Sequence, residues 1–126
     1  MSIEAGIATV VYAGIGIKPF PTLLPENPTL PAITYQFVGG RSFGPFDTIG
    51  PQRWRLQFDI YGQKHSDVST LRDQLIQSFA APGSYPVRLA DGTILNAARF
   101  IQAFDHFDSD ARQFRIVVEF YIHFNL

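Results

Sequence analysis

Between Gln52 and Phe79 the apolar period of the chain changes at a single glycine. Before it, Trp54, Leu56, Phe58 and Ile60 alternate with Arg53, Arg55, Gln57 and Asp59, the pattern of a strand with one dry and one wet face. Gly62 breaks the alternation. After it, Val68, Leu71, Leu75, Ile76 and Phe79 fall on one helical stripe. Ser66 is the expected N-cap, Asp67 suits the positive end of the helix dipole, and Pro82-Gly83 marks the exit. A half-buried strand that runs straight into an amphipathic helix predicts a sheet with a helix laid on its dry face.

The other segments fit around that unit. Ser2 to Ala13 reads as a helix with Ile3, Ile7, Val10 and Val11 on one stripe, Ser2 as cap and Gly14 as the residue that ends it. Ile17 to Pro31 holds five of the nine prolines and predicts an extended connection with little regular pairing, tacked to the core by Leu23 and Leu24. Ala32 to Val38 alternates as a strand. The stretch Gly39–Pro51, with four glycines and two prolines, reads as the long tip of an antiparallel hairpin.

Beyond the helix, Ser84 to Asn96 predicts a small hairpin turning at Asp91-Gly92. A separate strand follows at about Ala98–Phe107, with Phe100 and Phe104 on one face and Ile101, Ala103 and Asp105 on the other. The clearest strand is the last: Phe114, Ile116, Val118, Phe120, Ile122 and Phe124 occupy one face of Gln113–Leu126. Arg115, Glu119, His123 and Asn125 share the other face with Val117 and Tyr121. The expected class is α+β, one domain over residues 1–126. Its expected form is a single mainly antiparallel sheet of about four long strands plus a small hairpin, packed on one face by two helices.

Charge and composition narrow the function. Ten basic and eleven acidic residues are scattered, for a net charge of -1, and no basic run is visible, which argues against nucleic-acid binding as a main task. The absence of cysteine removes disulfides, thiolate metal sites and cysteine nucleophiles. No signal peptide or membrane-spanning run is visible, so the expected protein is soluble and made in a cytoplasm. Twelve Phe and five Tyr exceed the needs of one small core, and aromatic residues are enriched at protein contacts.

The search for chemistry finds little. Asp105, His106, Asp108 and Asp110 form the one local cluster open to a metal or acid–base reading, but the spacing is not that of an EF-hand, and a polar turn explains it. His65 reads as a solvated residue before the helix, and His123 as exposed or paired across strands. Gly83-Ser84-Tyr85 lacks the second glycine of a nucleophile elbow, and Gly14-Ile15-Gly16 reads as a helix stop rather than a dinucleotide fingerprint. Cross-strand ion pairing of Arg53, Arg55 and Arg115 explains Asp59 and Glu119. Neither a catalytic apparatus nor a cofactor or metal site is expected.

With the elements in order, the chain resembles a known family. A strand carries Pro31, Ile33, Tyr35 and Val38; another ends in Phe58-Asp59-Ile60-Tyr61-Gly62 and enters a helix at once; a closing strand carries Arg112, Val117 and Phe120. This order is similar to that of the tail-completion, or tail-terminator, proteins of long-tailed bacteriophages. The resemblance implies a structural virion protein with no cofactor, made in the host cytoplasm and located at the neck-proximal end of the tail. Such proteins form a ring, usually a hexamer, that stops the tail tube from growing. The ring's partners are its own copies, the tail tube protein and a head-completion or connector protein, with DNA passing through the lumen as cargo. The alternatives are another neck or head–tail connector protein, or a small enzyme or ligand-binding module using Asp105, His106 and Asp108. The expected contact residues are Arg41, Phe43, Phe46 and Ile49 in the glycine-rich loop, with Val117 and Tyr121 on the wet face of the last strand.

Overall fold

A computed structural model describes residues 3–21, 23–24, 29–42, 51–80, 85–89, 92–109 and 112–125. In chain order its elements are α1 (Ile3–Ile15), β1 (Phe20–Pro21), β2 (Ala32–Ser42), β3 (Pro51–Gly62), α2 (His65–Phe79), β4 (Val87–Arg88), β5 (Ile94–Asp108) and β6 (Gln113–Asn125). The sheet order is β1-β2-β3-β6-β5-β4. Every pairing is antiparallel except β1 with β2, so the sheet is mixed and has six strands.

The four long strands are β2, β3, β5 and β6, and two departures enlarge the expected sheet. The proline-rich segment supplies Phe20 and Pro21 as a short parallel strand beside Thr34 and Tyr35. The small hairpin and the strand after it are not separate either. Val87 and Arg88 pair with Leu95 and Ile94, and the chain from Ile94 continues unbroken to Asp108. Leu23, expected to tack the connection to the core, is instead 77 % exposed.

Both helices contribute to one core on one face of the sheet. α1 buries Ile7, Ala8 and Val11, and α2 buries Val68, Leu71, Leu75 and Phe79 against the alternate residues of β3 and β6. At the centre, the rings of Phe58, Phe79 and Phe120 meet edge to face, with centroids 5.1 to 5.7 Å apart. Such pairs add about 0.5–1.5 kcal/mol each to the gain from burial. The step from β3 to α2 is tight because Gly62 has no side chain: a Cβ there would lie 2.7 Å from Val68 Cγ1.

The helix ends differ from expectation. α2 starts at His65 with Lys64 as N-cap, and no side chain caps it; the Ser66 carbonyl instead accepts hydrogen bonds from Ser69 and Thr70. Gly14 lies inside α1, where its missing Cβ lets Ser78 of α2 approach. The stop is Gly16, whose φ of 76° suits glycine and whose N–H bonds the Tyr12 carbonyl at 2.8 Å.

One bulge changes which residues share a face. β5 pairs with β6 through Phe100↔Phe120 and then Gln102↔Glu119, leaving Ile101 as the extra residue. Parity flips there. Phe100 therefore shares the core-side face with Phe120, while Phe104 pairs with Val117 on the opposite face. The expectation that Phe100 and Phe104 share a face fails for this reason. Asp105 and His106 are successive strand residues rather than part of a turn, and they point to opposite faces.

Candidate assembly surface

The sheet face away from the helices is polar but closed. Asp59 and Glu119 are each 7 % exposed and Val117 is 3 % exposed, although no helix covers them. Their own neighbours do. Arg55 of β3 donates to Glu119 Oε2, and Gln102 of β5 donates to the same oxygen at 2.8 Å. Arg115 of β6 donates to Asp59 Oδ2 at 3.0 Å, and Gln57 donates to Asp59 Oδ1 at 2.9 Å. Burial by itself would raise the Glu119 pKa; the hydrogen bonds from Arg55 and Gln102 and the charge of Arg55 outweigh it and hold it below the ordinary carboxylate value.

The arginines expected to pair across strands thus divide. Arg55 and Arg115 join the carboxylates, whereas the Arg53 guanidinium lies over the Tyr121 ring at 4.8 Å. His123 stands beside Arg53 on β6, and burial together with the charges of Arg53 and Arg99 pushes its pKa down.

These placements revise the contact list. Val117 is buried, 3 % exposed, in the ladder opposite Asp59 and Phe104. Tyr121 is half-buried beside Arg53. Arg41 lies opposite Arg53 in the β2–β3 ladder. Phe43, Phe46 and Ile49 fall outside the described residues. The Asp105–His106 pair is divided between two faces: Asp105 accepts from His65 at 3.1 Å and lies near Arg72, while His106 is opposite Arg115. His65 is thus the first residue of the helix and bonded, rather than a free residue before it.

The residues that sequence reasoning overlooked lie on β5. β4 covers only Ile94 and Leu95, so from Asn96 to Asp108 no described strand lies along the other side of β5. That edge carries Phe100, Phe104 and Phe107, which are 39 %, 49 % and 51 % exposed. A long apolar edge is a template for another chain, and soluble proteins ordinarily blunt it. At the other end of the sheet, α1 and the segment around β1 enclose an open apolar groove of about 410 Å³ lined by Ala8, Tyr12, Lys18, Pro19 and Tyr35. The signal for the β5 edge was available in part: the sequence shows an aromatic residue on each face of that strand, more than a single core uses.

No protein-family model matches the chain, and no curated protein matches it. Among solved structures, the chain resembles one in the virion of a native gene transfer agent particle. The TM-score is 0.61 at 12 % identity, over 93 % of this chain and 85 % of that one. The likeness is one of fold. It extends over nearly the whole α+β unit and is not confined to the strand–helix step at Gly62. No helix among the described residues is long and apolar enough to cross a membrane.

Proposed function

We propose that the chain is a structural virion protein that closes the head-proximal end of a tail tube as a ring of identical copies, probed below as a hexamer, and offers its outer side to a head-completion or connector protein. The observation that carries the reading is the β5 edge with Phe100, Phe104 and Phe107, along which no described strand pairs beyond Leu95, on a fold shared with a chain of a gene transfer agent virion. A closed ring needs two different complementary surfaces on each copy. The apolar β5 edge and the groove beside Tyr12 and Lys18 lie at opposite ends of one sheet, as a head-to-tail contact requires. The loop bearing Phe43, Phe46 and Ile49, which follows Arg41, supplies a further contact with the neighbouring copy or the tube. The chemistry is that of assembly rather than turnover, and DNA crosses the ring as cargo.

The test is electron microscopy of the purified protein, alone and mixed with tail tubes, with mass measurement of the free ring. Six-copy rings seated at one end of the tube are expected. Decoration of the tube wall, or a protein that stays monomeric in the presence of tubes, overturns the reading. Binding to an isolated connector but not to tubes would instead assign the protein to the neck.

A further inference from the structure

Strand pairing assembles a basic surface that the linear sequence does not display. On the face away from the helices, Arg88 lies opposite Ile94, and Ile94 opposite Asn125. In the next row Arg53, His123 and Ala97 follow one another across β3, β6 and β5. In the row after that Arg55, Tyr121 and Arg99 are neighbours. Directly paired residues share a face. Among the described residues, Arg53, Arg55, Arg88, Arg99 and Arg115 therefore belong to this one face. Among the described acidic residues, pairing puts Asp59 and Glu119 there. Asp59 and Glu119 are held by Arg115 and Arg55, beyond the Arg53–His123 row.

We propose that this face binds the phosphodiester backbone of nucleic acid through the cluster of Arg53, Arg99 and His123, with Arg88 extending it. Like charges set side by side across a sheet cost stability and are favoured by an anion that bridges them. Burial is the larger cause of the lowered His123 pKa, and the charges of Arg53 and Arg99 add to it, so both arginines reach His123 from neighbouring strands. A polyanion fits this surface better than an acidic protein does. Protein interfaces are anchored by buried apolar side chains, and among the described residues the arginine rows carry no exposed Phe, Leu or Ile; Val38 lies beside the Arg55 row at the β2 bulge, and Phe104 projects on this face beyond the Glu119 row. Phosphate recognition needs cations at strand spacing and no apolar anchor. The binding is of backbone and not of sequence, because the rows hold arginines on a sheet face and no described element there stands out to enter a groove.

The inference uses the ring reading only to say where the nucleic acid comes from, and its test is independent of ring formation. Fluorescence anisotropy of the free full-length protein with a short DNA duplex, at about 50 mM salt and upward, is the measurement. The wild-type chain is expected to bind duplexes of unrelated sequence equally, with affinity that falls steeply with salt. The R53A/R99A variant is expected to lose roughly tenfold in affinity and about two units of salt slope. K64A/R72A removes the same charge on the helix side of the sheet and is expected to bind as wild type. Should R53A/R99A fail to fold by circular dichroism, R99E alone decides, since Arg99 is exposed and its replacement disturbs no packing. Unchanged binding in these variants, equal loss in K64A/R72A, or no wild-type binding overturns the proposal. So does displacement of the duplex by polyglutamate as readily as by inorganic polyphosphate. DNA binding without rings would reject the ring reading alone, and rings without DNA binding would reject this one alone.

Discussion

Glu119 on β6 accepts hydrogen bonds on one oxygen from Arg55 of β3 and Gln102 of β5, so a single carboxylate ties together three adjacent strands. The Arg115–Asp59 pair repeats the arrangement with the roles of the strands exchanged. Neither pair is in a core. They lie on the face the helices leave bare, and the arginine side chains bury the two carboxylates there.

Acid is therefore expected to loosen the sheet in two steps. Glu119 has a lowered folded pKa, so its contribution is fully present above its unfolded value near 4.5 and is lost as pH falls through the folded value. His123 is also lowered, from 6.5, and the unfolded chain takes up a proton that the folded chain refuses. Stability thus begins to decline as pH falls below about 6.5 and declines further below about 4.5. Urea unfolding across pH checks this; H123Q is expected to remove the upper step and leave the lower.

E119A is expected to destabilise the chain by about 1–2 kcal/mol, less than a deeply buried pair would, because the Arg55 side chain is 36 % exposed and water replaces part of the contact. An E119L/R55M double variant is expected to recover much of that loss. Denaturant midpoints for the two variants provide the comparison.

Replacing Gly62 with alanine is expected to cost about 1–3 kcal/mol, since the new Cβ would overlap Val68 across the β3–α2 step. V68A is also destabilising because it opens a cavity, yet G62A/V68A is expected to be more stable than the sum of the two single losses predicts. A double-mutant cycle by thermal unfolding measures that coupling.

Charging the free edge is expected to separate assembly from folding. Phe104 and Phe107 are about half exposed, so F104E/F107E is expected to shift stability by less than about 1 kcal/mol while abolishing rings. Analytical ultracentrifugation beside circular dichroism reads both quantities.

Tyr85 gives an alkaline counterpart. Its hydroxyl donates to the Phe79 carbonyl at the end of α2, and burial pushes its pKa up to about 12. Between roughly 10 and 12 the unfolded chain ionises this group and the folded chain does not, so stability falls as pH rises through that window. Y85F is expected to flatten the decline and to cost about 1 kcal/mol at neutral pH.

The long strands and both helices were legible because their evidence is local. Trp54 to Ile60 and Phe114 to Phe124 alternate without a break, and Val68 to Phe79 repeats at helical spacing, so each segment reports its own conformation and its dry face. The resemblance drawn from Pro31 to Phe120 likewise agrees at the level of fold with a virion chain. What stayed hidden depends on parity and neighbours. The extra residue at Ile101 turns Phe104 away from Phe100, and no property of Ile101 announces a bulge. Gly14 and Gly16 are alike in sequence, and only the approach of Ser78 decides which one packs and which one ends the helix. Arg88, Arg53 and Arg99 are far apart along the chain and form no basic run, yet register sets them on one face within neighbouring rows. Alternation by itself determined which side of β3 and of β6 is polar. Only strand order and pairing decided which polar residues meet, because those are set by contacts between segments that the local pattern does not encode.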